Sequence, residues 1–201
     1  MAAEAEFTWP ARMTVELAEQ SHALIGAVTG LGGAIGWLSP PSRAQTDDWL
    51  AGMLATVAAG DGAVCTAWLD GRLVAMGAWR REEAAYYRHM AELLKIMAHP
   101  EARGGRLGLR VTRALIASAA GAGIETLHLG VRGNNHLAIQ LYEEAGFTEW
   151  GRLPDVIEVG DERFDEVRMY RRLSTPAHLI LRGSGPSGPG SSPRKPRPVT
   201  S

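Results

Sequence analysis

One ten-residue stretch, His99-Pro-Glu-Ala-Arg-Gly-Gly-Arg-Leu-Gly108, lies between an apolar run and a run with helical spacing, and it constrains the fold more than any other feature. Pro100 ends a strand expected over residues 91–98. Leu107, Val111, Ala114, Leu115 and Ser118 then form one face of a helix over 107–120, with Gly121 at its stop. Glycines at the mouth of a helix let backbone N–H groups approach an anion, and the helix N-terminus adds partial positive charge. Arg103 and Arg106 add formal charge and forked donors. A pyrophosphate is held in this way, although such turns also arise for purely conformational reasons.

The flanking pattern is mixed α/β. A helix over 46–59 follows the break at Pro40-Pro41, with Trp49, Leu50, Met53, Leu54 and Val57 at helical spacing. Strands over 63–69 and 73–80 are joined by Asp70-Gly71, a dipeptide suited to a tight hairpin. Residues 125–131 alternate Leu127, Leu129 and Val131 as a strand. A helix over 135–145 follows, with Asn134 or Asn135 as N-cap and Gly146 at its stop. Strands over 148–153 and 163–171 close the pattern. The expected order is two helices, three strands, helix, strand, helix, two strands.

Taken with the loop, the spacing Leu127-x-Leu129-x-Val131, Asn135-x-x-Ala138 and Leu141-Tyr142-x-x-x-Gly146-Phe147 resembles the GNAT superfamily of acyl-CoA-dependent N-acetyltransferases, bacterial type, over residues 63–173. The resemblance implies one domain over 1–182 with an α/β (α+β) fold: a mixed, mostly antiparallel central sheet with helices on both faces. It implies acetyl-CoA as acyl donor, its pyrophosphate cradled by Arg103, Gly104, Gly105, Arg106, Leu107 and Gly108. Arg106 departs from the family pattern, which has glycine at that place, and would either add a phosphate contact or crowd the loop. The strand before the loop would splay from its neighbour, and an N–H near Met97 or Ala98 would polarise the thioester carbonyl. Asn135 matches an asparagine that contacts CoA, and Tyr142 a tyrosine near the thiol sulfur. A phenol can hand a proton to a departing thiolate. The spacing of Tyr142 also suits a core aromatic. Glu92 is the first candidate for the base that deprotonates the acceptor, placed by strand alternation on the face of Leu94 and Ile96; an ordinary strand-end carboxylate is the alternative. Glu82, Glu83, His89 and Asp155 are weaker candidates, and His128 is expected to pack under a helix.

The implied function is acetyl transfer to a primary amine, of a small molecule or of a peptide or protein, by direct attack in a ternary complex. The rival readings are a preference for a longer acyl-CoA, and a non-catalytic acyl-CoA-binding sensor or interaction module on the same fold. The acceptor pocket would draw on Trp37, Trp49, the turn over 82–89 and residues 155–165, a lining suited to a cationic amine with an apolar body. A homodimer is compatible with the family.

Several classes fall away on composition. A single cysteine, Cys65, rules out an internal disulfide framework and fits a reducing, cytoplasmic compartment. The six histidines show no metal-ligand pair at helical spacing, so no metal is expected. Without Arg194, Lys195 and Arg197 of the C-terminal segment, the 21 basic residues fall to 18 against 22 acidic ones, which disfavours a nucleic-acid partner. Residues 20–42 carry no charge, but their apolar part is short and broken by glycines, so neither a membrane span nor a membrane partner is read there. No basic segment precedes it, as a secretory signal would need. Its Gly-Leu-Gly-Gly-Ala-Ile-Gly run misses the dinucleotide-binding spacing, and two short helices with a glycine-rich joint are expected instead. Residues 183–201, rich in Gly, Ser and Pro, read as a disordered basic tail.

Overall fold

The computed structural model describes residues 4–33, 35–102 and 105–173; the expected C-terminal tail lies outside them. The elements run β1 (Glu6–Thr8), α1 (Val15–Thr29), α2 (Arg43–Ala58), β2 (Gly62–Leu69), β3 (Arg72–Arg81), β4 (Met90–Ala98), α3 (Leu107–Gly121), β5 (Thr126–Arg132), α4 (His136–Glu144), β6 (Thr148–Val159) and β7 (Glu162–Arg172). The strands form one sheet in the order β1-β2-β3-β4-β5-β7-β6. Every neighbouring pair is antiparallel except β4 and β5, which are parallel.

Side-chain alternation gives the sheet two apolar faces. On one face Val111, Leu115 and Ala119 of α3 pack with Cys65, Trp79, Leu127, Leu129 and Val167. On the other, Leu24 and Ile25 of α1 and Met53 of α2 pack with Val64, Met76, Ala78 and Met97. The helices therefore lie on both faces, with α1 and α2 over the β2–β4 half.

Local chemistry sets the element ends. Asp70 and Gly71 take φ of 49° and 75°, the left-handed pair that a two-residue hairpin needs. Asn135 is the N-cap of α4, accepting from the Ala138 N–H at 3.3 Å. At its far end the Phe147 N–H bonds the Tyr142 carbonyl at 2.9 Å and the Gly146 N–H bonds Glu143, a reciprocal stop with Gly146 at φ 84°. Helix α3 runs through Gly121 and its stop residue is Gly123, two residues later: Gly123 takes the positive φ, and the Ile124 N–H bonds the Ala119 carbonyl.

Four features depart from expectation. The short strand β1 has too few residues for a periodic signal, and it pairs through Glu6–Trp68 to Thr8–Thr66. The described residues within 30–42 form no second short helix. Gly32 and Gly36 hold φ of 76° and 86°, and a side chain at Gly33 would meet Val28 at 2.5 Å, so the helix cannot propagate past Thr29. Helix α2 begins earlier than 46, because Ser42 and Gln45 form a reciprocal capping box. Strand β6 continues past Pro154 to Val159, which an edge strand allows, with a register shift between Leu153 and Ile157.

Candidate functional site

Strands β4 and β5 pair only over Met90–Thr126, Ala91–Leu127 and Glu92–His128. Beyond Glu92 and His128 they part, and the gap opens into a cleft of about 780 Å³. Its walls are β4 from Glu92 to Ala98, the first turn of α3, Gly130 and Val131 of β5, and α4 from Asn135 to Tyr142. The structure thus brings together Glu92, Met97, Ala98, Arg106, Leu107, Gly108, Asn135 and Tyr142. Gly105 lies beside them in the loop, while Arg103 and Gly104 fall outside the described residues.

The free edge of β4 faces the cleft. Amides along a strand point alternately to its two edges. The His99 N–H bonds the Val74 carbonyl of β3 at 2.7 Å, so the Ala98 N–H points into the cleft and the Met97 N–H toward β3. Alternation fails one turn earlier, at a bulge where Lys95 takes φ 54° and the β3 register skips Gly77. Glu92 and Leu94 therefore share the α1/α2 side, but Ile96 crosses to the α3 core. That corrects the expectation that Glu92 and Ile96 share a face.

Lys95 also corrects the acceptor lining. Its Nζ lies 3.9 Å from the Trp37 ring centre and 5.9 Å from that of Trp49, and it donates to the Ile35 carbonyl. The tryptophan pair is already occupied by an internal ammonium. Burial lowers the Lys95 pKa, opposed by the nearby Glu92 charge.

At the mouth of α3, Arg106 sits at φ 51° as the residue before the helix, a conformation that glycine adopts freely. Its guanidinium pairs with Glu144 on α4. The first-turn N–H groups of α3 have no intrahelical partner and are left to face the cleft. A side chain at Gly108 would meet Leu141 Cδ1 at 3.0 Å, so glycine there lets α3 and α4 close on each other. Asn135 spends its Oδ1 on the cap, which leaves its Nδ2 donors for a ligand. Tyr142 is buried edge-on against Phe147, with ring centres 5.9 Å apart. Burial pushes its phenol pKa above the usual range and keeps the proton on. Glu92 is a third exposed and held by Arg80 at 3.1 Å.

His128 does not pack under a helix. It stands beside Glu92 at the fork and bonds Glu82 at 2.7 Å, a pair 46 residues apart in the chain that the sequence reading missed. The α1/α2 layer stops at β4, so this pair faces a second hollow of about 860 Å³, lined by Tyr87, Met90, Trp150, Arg168 and Tyr170 among others. Glu83, His89 and Asp155 are exposed and away from both hollows. Cys65 is fully buried in β2.

The fork between two parallel strands, a glycine-bearing helix mouth at its end and a buried tyrosine on the following helix define an α/β protein whose sheet itself is split by a cleft. The chain belongs to the GNAT acetyltransferase family: the family model described as "Acetyltransferase (GNAT) family" matches residues 33–147. It is 30% identical over 103 residues to "Putative phosphinothricin acetyltransferase YwnH" of Bacillus subtilis (strain 168), covering 49% of this chain and 63% of that protein. It is 32% identical over 82 residues to the mycothiol acetyltransferase of Stackebrandtia nassauensis, covering 41% of this chain and 26% of that one. The matched segment thus spans less than two thirds of either relative. Among solved structures, a GNAT superfamily phosphinothricin acetyltransferase from Sinorhizobium meliloti in complex with AcCoA superposes with a TM-score of 0.71 at 20% identity, covering 87% of this chain and 91% of that one.

Proposed function

We propose that this chain transfers the acetyl group of acetyl-CoA to a primary amine of a small molecule or peptide by direct attack in a ternary complex. The observation that carries this reading is the fork after Glu92 and His128, which opens a cleft bordered by the Ala98 N–H, Tyr142 and the α3 mouth. The Sinorhizobium protein, of the same fold, holds acetyl-CoA, which supports that donor. In this reading the loop from Arg103 to Gly108 takes the pyrophosphate and the Asn135 amide reaches the pantetheine arm. The Ala98 N–H, next to Met97, meets the oxygen on which charge develops. Tyr142 protonates the departing thiolate, and its raised pKa suits an acid that must still carry its proton at neutral pH. Glu92 accepts the proton of the acceptor ammonium. Cys65 is too deeply buried to serve as a nucleophile. A reducing, cytoplasmic setting rests on the lone cysteine and on the bacterial relatives.

The test is release of free CoA thiol from acetyl-CoA across a panel of primary amines, with thermal shift by CoA measured in parallel. Turnover on at least one amine is expected. Tyr142→Phe and Glu92→Gln should each lower kcat by about a hundredfold or more while CoA still raises Tm, the scale of one lost acid or base. CoA stabilisation with no turnover on any amine favours the sensor reading. Absence of stabilisation removes the cradle, and the proposal with it.

A further inference from the structure

The fork places a second proton-accepting group next to Glu92, and the chain has built a support around it. His128 is the last residue of β5 paired with β4, in register with Glu92 on the same side of the sheet. Cross-strand neighbours lie about 5 Å apart, so the two residues stand side by side at the point where the strands separate, with no direct hydrogen bond between their side chains and room for one bridging water. Glu82, from the turn after β3, bonds His128 Nε2 at 2.7 Å. A carboxylate only accepts, so Nε2 carries the hydrogen and Nδ1 presents a lone pair. No partner bonds Nδ1 among the described residues. His128 and Glu82 both line the hollow floored by β5, β7 and β6, which gives the imidazole a path to solvent away from the acyl cleft, whereas Glu92 does not line it.

We propose that the His128–Glu82 pair is the exit leg of the proton path: His128 takes the acceptor's proton from Glu92 and discharges it into the second hollow. This rests on the acetyltransferase reading above. Glu92 is held by Arg80, and a carboxylate keeps a proton poorly at neutral pH. It must lose that proton before the next turnover. Imidazole is the side chain suited to carrying it onward. The bookkeeping closes. The ammonium's first proton passes to Glu92, through one bridging water to His128 Nδ1, and out. The amine nitrogen bonds the acetyl carbon, the C–S bond breaks, and the thiolate takes the Tyr142 proton. The second proton lost from nitrogen restores Tyr142. The groups facing His128 are Glu82 from the turn, Glu92 on β4 with Arg80 behind it, Tyr170 in register on β7, and Tyr87, Arg152, Glu166 and Arg168 around the hollow.

The experiment uses the full chain, acetyl-CoA and the best amine of the panel, with added imidazole as the probe. His128→Asn is expected to lower kcat at least about tenfold, leave the KM for acetyl-CoA within twofold, and recover most of the lost kcat as imidazole is added. Glu82→Gln should give a smaller loss and displace the pH dependence of kcat, since it loosens the ring without removing it. The proposal is overturned if His128→Asn keeps the wild-type kcat, or loses it with an unchanged Tm and no response to imidazole. If His128→Asn does not fold, Glu82→Gln with a wild-type rate and pH profile overturns it instead. Wild-type turnover with an indifferent His128 rejects this inference alone, whereas absence of turnover on every amine rejects the acetyltransferase reading and this inference together.

Discussion

At the scale of single residues, the cleft depends on one irregular position in β4 and the glycine opposite it. The bulge at Lys95 sends Ile96 across to the α3 side, and its Cδ1 takes the space where a side chain at Gly77 would stand. A Cβ there would lie 2.3 Å from Ile96 Cδ1, 3.0 Å from Leu115 Cδ1 and 3.1 Å from Val111 Cγ1. Gly77→Ala therefore overfills a closed core and is expected to cost about 1–3 kcal/mol, read as a lower urea midpoint. Because Ile96 also borders the cleft, the same variant should raise the KM for acetyl-CoA. An unchanged midpoint would show that Ile96 moves aside freely and that the bulge is loosely held. Neither partner of this contact signals the other in sequence. A glycine in a strand reads as a weakness, and a lysine between Leu94 and Ile96 reads as an ordinary outward residue.

At the scale of elements, the helix stops are backbone events whose energies follow from φ. Gly146 ends α4 at φ 84°, and a side chain there would meet the Arg171 guanidinium at 3.1 Å. Gly146→Ala should cost about 1–2 kcal/mol from the left-handed backbone alone. Gly52, within α2 with open space around its Cα, should give the opposite sign: Gly52→Ala is expected to stabilise by about 0.5–1 kcal/mol. Paired urea melts check both, and a shared sign would refute the account. Most elements were legible because their signals are local. Asp70-Gly71, the Asn135 cap, Gly146 and the alternation of Leu127, Leu129 and Val131 each act within a few residues. The α3 mouth and Tyr142 were legible because a family spacing surrounds them. Long-range partnerships were not legible: β1 is specified by its pairing with β2, Lys95 by Trp37, and His128 by Glu82. The sequence alternation put Glu92 on the correct side but failed for Ile96, since a bulge leaves no mark on a period-two pattern.

At the scale of the molecule, one sheet joins two apolar layers, and Cys65 reports on the one beneath α3. It is fully buried in β2, beneath α3, with its thiol pKa pushed up to about 12 by burial. The folded state thus holds the proton more tightly than the unfolded chain. Stability from this group is complete below the ordinary thiol value of 9.0 and is lost as pH rises from there toward 12. Near pH ~8 an alkylating reagent needs both thiolate and access. Exposing the thiol means lifting α3 from β2, a strand paired on both sides by β1 and β3, so labelling should require cooperative unfolding. The cleft proposed for acetyl-CoA is walled by β4, α3 and α4, and all three come apart in that event. At a hundred times its Kd it should stabilise the fold by about 2.7 kcal/mol and slow labelling of Cys65 about a hundredfold, although no ligand atom approaches the thiol. Labelling that proceeds in native protein at the rate seen in urea would mean that β2 opens locally. Slow labelling that acetyl-CoA leaves unchanged would mean that the cleft and the core are not one cooperative unit.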